Sequence, residues 1–125
     1  MKTLVYISIL IVLNTSNCST PKDIKEIKFG EGGGFTGAVT EYQLKANGDI
    51  LKETKKIKTI DNAEMKRVQN NLNKLSEASF KFNHPGNLYY FIETDKGKIT
   101  WGDINFPEPT EVKELYNQLK QITNN

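Results

Sequence analysis

The chain has 125 residues, enough for one domain and too few for two. Its 17 Lys+Arg against 15 Asp+Glu leave a formal net charge of +2, which excludes the strong basic field of a nucleic-acid binder. With 37% hydrophobic and 26% charged residues it composes like an ordinary globular domain, and its one cysteine excludes an intramolecular disulfide.

Residues 1–17 read as a removable signal peptide. Lys2 gives an n-region of one charge, and Leu4 to Leu13 is an apolar run broken only by Ser8. As a helix that run would cover roughly 15 Å, about half a hydrocarbon core, which is short for a transmembrane span and suits a signal h-region. Asn14, Thr15, Ser16 and Asn17 then lead into Cys18. The pattern resembles the bacterial lipoprotein signal, which is cut before a cysteine whose thiol carries palmitate-type chains. Thr15 and Asn17 stand where that signal usually has Leu and a small residue, as in the looser boxes of Bacteroidetes-type bacteria. The competing reading is an ordinary secretory peptide with a leftover cysteine. Acylated Cys18 would be a stable anchor, each buried CH₂ contributing about 0.8 kcal/mol. Ser19 implies, again by resemblance, the outer membrane rather than the inner, and Lys22-Asp23 is less acidic than the surface-export signals it resembles, so the periplasmic face is expected over the cell surface. Residues 18–23 make a short tether. Ser19 to Asp23 spans at most about 17 Å, so the domain of residues 24–125 is expected close to the membrane.

Ile27 and Phe29 share one face of a first strand. Gly30 to Gly37 follows and contains G-x-G-x-x-G at Gly32, Gly34 and Gly37. A dinucleotide or phosphate loop needs a helix next. Here Ala38, Thr40, Tyr42 and Leu44 alternate with Val39, Glu41, Gln43 and Lys45, which is a strand. The glycines are therefore read as a strand connection or bulge. Gly32, Gly33, Gly34, Phe35 and Thr36 are the candidate contact residues.

Asn47-Gly48 predicts a two-residue hairpin turn that pairs Leu44 with Leu51. The next strand is expected from Asp49 to Ile57. Its Lys52, Lys55, Lys56 and Lys58 suit a solvated or edge-protecting face, with anionic lipid as the alternative contact. Asp61 and Glu64 form a capping box, with Ile60 and Met65 as a hydrophobic staple. The stripe Met65, Val68, Leu72, Leu75, Ala78 predicts a core-facing helix over Asn62 to Ala78. Phe80 to Asn87 reads as a loop, with His84 before Pro85-Gly86 as a turn residue. Leu88 to Thr94 is a central strand. Its partner is expected over Ile99 to Ile104 after a turn at Asp95–Lys98, placing Ile92 opposite Trp101. Pro109 opens a second helix with the stripe Val112, Leu115, Tyr116, Leu119, Ile122. The expected fold is α+β: an antiparallel sheet of about five strands with both helices on one face, in the order β-β-β-α-β-β-α.

The GGGFTG core of Phe29 to Gly37, Tyr42-x-Leu44 with Gly48, Pro85-Gly86-Asn87 before Tyr89-Tyr90-Phe91, and Trp101-Gly102 resemble a group of small Bacteroidetes-type bacterial lipoproteins with a domain of unknown function. The resemblance covers most of the chain after Cys18 and implies an envelope location. It carries over no catalytic residue. No metal-ligand cluster, activated nucleophile or cofactor motif stands in the sequence. The expected function is thus a lipid-anchored, non-catalytic module that binds an envelope protein or glycan, with oligomeric state left open. The alternative is a small envelope hydrolase or ligand-binding protein using Glu31, His84, Glu93 or Asp103 in a cleft with Tyr89 and Trp101.

Overall fold

The computed structural model describes residues 24–102 and 110–125. Cys18 with the expected signal and tether, and Asp103 and Pro109, lie outside the described residues. Within them the elements are strands β1 (Glu26–Gly33), β2 (Val39–Lys45), β3 (Asp49–Lys52) and β4 (Lys55–Thr59), helix α1 (Asn62–Asn73), strands β5 (Asn83–His84), β6 (Leu88–Thr94) and β7 (Gly97–Gly102), and helix α2 (Thr110–Asn124). They form an α+β fold with one seven-stranded sheet ordered β4-β3-β2-β1-β6-β7-β5. All pairings are antiparallel except β5 with β7, which is parallel. The first four strands form a meander. Helix α1 then carries the chain across to the far edge, and the β6–β7 hairpin fills the gap beside β1.

The core follows from strand alternation. Directly opposed residues share a face of an antiparallel pair, and the register opposes Ile27 to Leu44, Phe29 to Tyr42 and to Ile92, and Ile92 to Ile99. Phe29, Ile27, Leu44, Ile92 and Ile99 are fully buried against Val68 and Leu72 of α1 and Val112, Leu115, Leu119 and Ile122 of α2. Both helices therefore cover the same face of the sheet. Each such side chain contributes roughly 1.5–3 kcal/mol of apolar burial. The helices are tied to one another by Asn71 Nδ2 donating to Gln118 Oε1 at 2.6 Å and by a looser Lys74–Glu114 ion pair at 3.8 Å. Among the described residues no helix covers the other sheet face. There Phe91 is still buried, lying between Gly30 and Thr100 in register with the Lys98 ammonium 4.7 Å from its ring centroid.

Seven strands replace the expected five for two reasons. The span Asp49 to Ile57 is not one strand but two, folded back at Glu53-Thr54, both with positive φ (49° and 74°). The expected loop over Phe80 to Asn87 contains the short edge strand β5, docked on β7 with the Thr100 N–H donating to the Phe82 carbonyl at 3.1 Å. That edge is also what makes the sheet mixed. Asp49 pins the extra hairpin. It accepts from Thr59 Oγ1 at 2.6 Å and pairs with Lys56 at 3.1 Å, and these contacts, Thr59 first, hold its carboxyl below the usual carboxylate range. The lysines of β4 thus line an edge strand, as the edge-protecting reading requires.

The first hairpin differs from expectation by one residue. Leu44 faces Ile50, and Gln43 faces Leu51. The connection is a three-residue turn over Ala46, Asn47 and Gly48, in which only Gly48 has positive φ (90°) and its N–H donates to the Lys45 carbonyl at 3.0 Å. One added loop residue sends Ile50 into the core and Leu51 to the open face. In the β6–β7 hairpin the slip is two residues. Tyr90, not Ile92, opposes Trp101, and the turn is Asp95-Lys96 closed by Thr94 and Gly97. An even slip leaves every side chain on its expected face.

Helix α1 starts as expected, with the Asp61 side chain accepting from the Glu64 N–H at 2.8 Å. Ile60 and Met65 both pack against the core. It ends at Asn73, short of Ala78. The Ser76 and Ser79 hydroxyls accept from each other's backbone N–H at 3.3 and 3.2 Å, an alternative to helical bonding, and a 3-10 turn follows at Ser79–Lys81.

Candidate functional site

The glycine segment is half strand and half turn. Gly30 to Gly32 pair with β2 on one side and β6 on the other, and Gly33 pairs with Leu88 of β6, so the segment is laddered along both edges up to Gly32. At Gly33 the backbone turns out at φ 94°, where a Cβ would collide with the Asn87 carbonyl, so only glycine fits. The turn binds itself. The Gly34 N–H donates to the Asn87 carbonyl at 2.9 Å, the Gly37 N–H to the Gly34 carbonyl at 3.3 Å, and the Ala38 N–H to Thr36 Oγ1 at 3.3 Å. Those are amides that a phosphate cradle would need to present, so the G-x-G-x-x-G match serves the turn and not an anion.

This construction projects Phe35 wholly into solvent, at 109% of its reference exposure. Val39 and Leu88, cross-strand partners of Gly32 and Gly33, are also exposed. Three of the four exposed large hydrophobics among the described residues thus gather at one end of the sheet. The fourth, Ile57, is on β4. A concavity of about 240 Å³ lies behind the tip, and its lining includes Glu31, Gly33, Thr40, Leu88, Tyr89 and Tyr90.

The register lays one row across the sheet at this end: Thr40, Glu31, Tyr90, Trp101 and His84, on β2, β1, β6, β7 and β5. Helix α2 closes over it. The Tyr116 ring stands edge-on to Trp101 (centroids 5.0 Å) and Tyr90 (5.6 Å), and its hydroxyl donates to the Gly30 carbonyl at 3.1 Å. Burial first, and the Glu31 carboxylate second, push that hydroxyl far above its ordinary pKa, so it stays a donor. One turn on, Lys120 Nζ lies 3.6 Å from Glu31 Oε1 and 5.2 Å from the Tyr42 ring centroid.

Of the residues of the hydrolase alternative, Glu31 and Tyr89 both border the concavity, but His84, Glu93 and Trp101 are not brought to them. Glu31 and His84 sit three strand spacings apart, roughly 14 Å, beyond a hydrogen bond or one bridging water. Glu93 opposes Lys98 on the other face of the sheet, with an ion pair at 3.9 Å. Tyr89 alternates to that open face while Trp101 is buried under α2, so the two do not line one cleft. His84 stacks edge-on with Phe82 at 4.7 Å. Among the described residues no three His, Cys, Asp or Glu converge to hold a metal ion. Sequence reasoning missed Thr40, Tyr90, Tyr116 and Lys120. The only local signal was Tyr116, a polar-tipped residue within an apolar helix stripe.

No protein-family model matches the chain, and no curated protein matches it.

Proposed function

We propose that the chain is a lipid-anchored cell-envelope protein, held at the periplasmic face of the outer membrane through acylated Cys18, whose domain binds a partner protein at the glycine hairpin and catalyses no reaction. The observation that carries the binding part is Phe35. An aromatic ring held fully in water forgoes the roughly 1.5–3 kcal/mol that burial would give, and apolar side chains gathered at one end mark an interaction surface. A double ladder beneath the tip holds it ready for contact. Strand β1 carries the chain about 23 Å from Glu26 to Gly33, so the hairpin is at the opposite end of that strand from Glu26. The apolar tip favours a protein over a glycan.

Two measurements test this reading. Mass spectrometry of the membrane fraction should find an acylated peptide beginning at Cys18, and an unmodified Cys18 in a soluble product would end the anchor. Crosslinking followed by affinity capture should recover a discrete partner with the natural chain and lose it with Phe35→Ser. Equal capture by both would remove the hairpin from the account.

A further inference from the structure

We infer that the concavity beside Glu31 receives a cationic side chain, arginine or lysine, of the partner protein, and that Lys120 holds the carboxylate in its absence. This rests on the hairpin end being the partner-binding surface. At about 240 Å³ the concavity is smaller than the roughly 300–1,000 Å³ of drug-sized ligand sites and fits one side chain. Among the described residues Glu31 is the one charged residue lining it, with 46% of its side chain exposed. Leu88 offers an apolar wall for the methylene stem of a long cationic residue, and the Tyr90 ring an aromatic contact for its head.

The geometry of Lys120 is that of a placeholder. Its ammonium is 3.6 Å from Glu31, beyond the roughly 2.7–2.9 Å of a close charge-assisted hydrogen bond. The same ammonium is 5.2 Å from the Tyr42 ring centroid, which gives it a second seat once Glu31 is engaged elsewhere. A guanidinium arriving from outside can take both carboxylate oxygens in the bidentate manner that Lys120 does not achieve.

The test uses the full chain, ¹⁵N-labelled and purified in detergent micelles, titrated with Nα-acetyl-arginine N-methylamide. The citrulline analogue, of similar shape and uncharged, is the control, and methyl glucoside stands for a neutral occupant. The arginine amide should shift the Glu31, Gly32 and Gly33 amides saturably, and Glu31→Gln should abolish this. Lys120→Met should tighten binding about two- to fivefold, the worth of a surface ion pair removed from competition. Equal shifts from the citrulline analogue, shifts from the glucoside alone, or weaker binding in Lys120→Met would each overturn the inference. If arginine binding fails while the partner is still captured through Phe35, the inference falls and the proposed function stands.

Discussion

The Tyr116 hydroxyl on α2 donates to the Gly30 carbonyl on β1 at 3.1 Å, joining residues 86 positions apart. The bond fastens the helix layer to the sheet where β1 leaves the hydrophobic core and becomes the glycine hairpin. Below it lie Phe29 and Ile27, and above it Glu31 and the exposed tip. Tyr116→Phe keeps the ring contacts with Tyr90 and Trp101 but leaves the carbonyl without that donor. It should cost about 1–2 kcal/mol in urea unfolding, with an unchanged denaturant slope.

The same hydroxyl sets an alkaline limit. Its folded pKa is raised above the ordinary 10.0 by burial and by Glu31. The folded chain therefore holds a proton that the unfolded chain releases above about pH 10, and stability falls as pH rises from there towards the folded value. Below pH 10 the contribution is complete. From about pH 10 upward the natural chain should lose stability more steeply than Tyr116→Phe, measured by denaturant melts at each pH. Parallel curves for the two chains would remove Tyr116 as the cause.

The β3–β4 turn stores strain that can be relieved. Thr54 is β-branched and sits at φ 74°, and Glu53 at φ 49°, in the left-handed region that non-glycine residues enter at a cost of order 1–3 kcal/mol. Replacing Glu53-Thr54 with Asn-Gly, which suits two positive φ angles in a two-residue hairpin, should raise stability by about 1 kcal/mol or more in thermal or urea melts.

The register of the first hairpin can be tested by which neighbour tolerates change. Ile50→Ala removes a fully buried side chain opposite Leu44 and should cost about 2–4 kcal/mol. Leu51→Lys, on the open face between Gln43 and Lys56, should cost less than about 1 kcal/mol. The reverse order would indicate the one-residue-shifted pairing of Leu44 with Leu51.

What the sequence made legible was local. The alternation of Ala38 to Lys45 placed Tyr42 and Leu44 on one face, the Asp61 cap started α1, and the stripe from Val112 to Ile122 defined α2, because each signal lies within a few residues. Asn47-Gly48 marked a turn but not its type, since the dipeptide fits both a two-residue loop and a type I turn followed by a left-handed glycine. Glu53-Thr54 carries no turn chemistry at all, so the second hairpin was invisible. The exposed Phe35 could be suspected from its glycine flanks. The row from Thr40 to His84 could not, because it depends on β6 pairing with β1 across more than half the domain. Lys120 looked like any solvated helix residue until α2 was laid over Glu31.

The most direct test of the central claim is site-specific photo-crosslinking in intact cells of the natural host, with a photoreactive amino acid at position 35 and, as control, at position 57, the exposed apolar site on β4. The account predicts a discrete adduct of the lipid-anchored chain from position 35 and none from position 57. No adduct from position 35, or the same adduct from both, would contradict it.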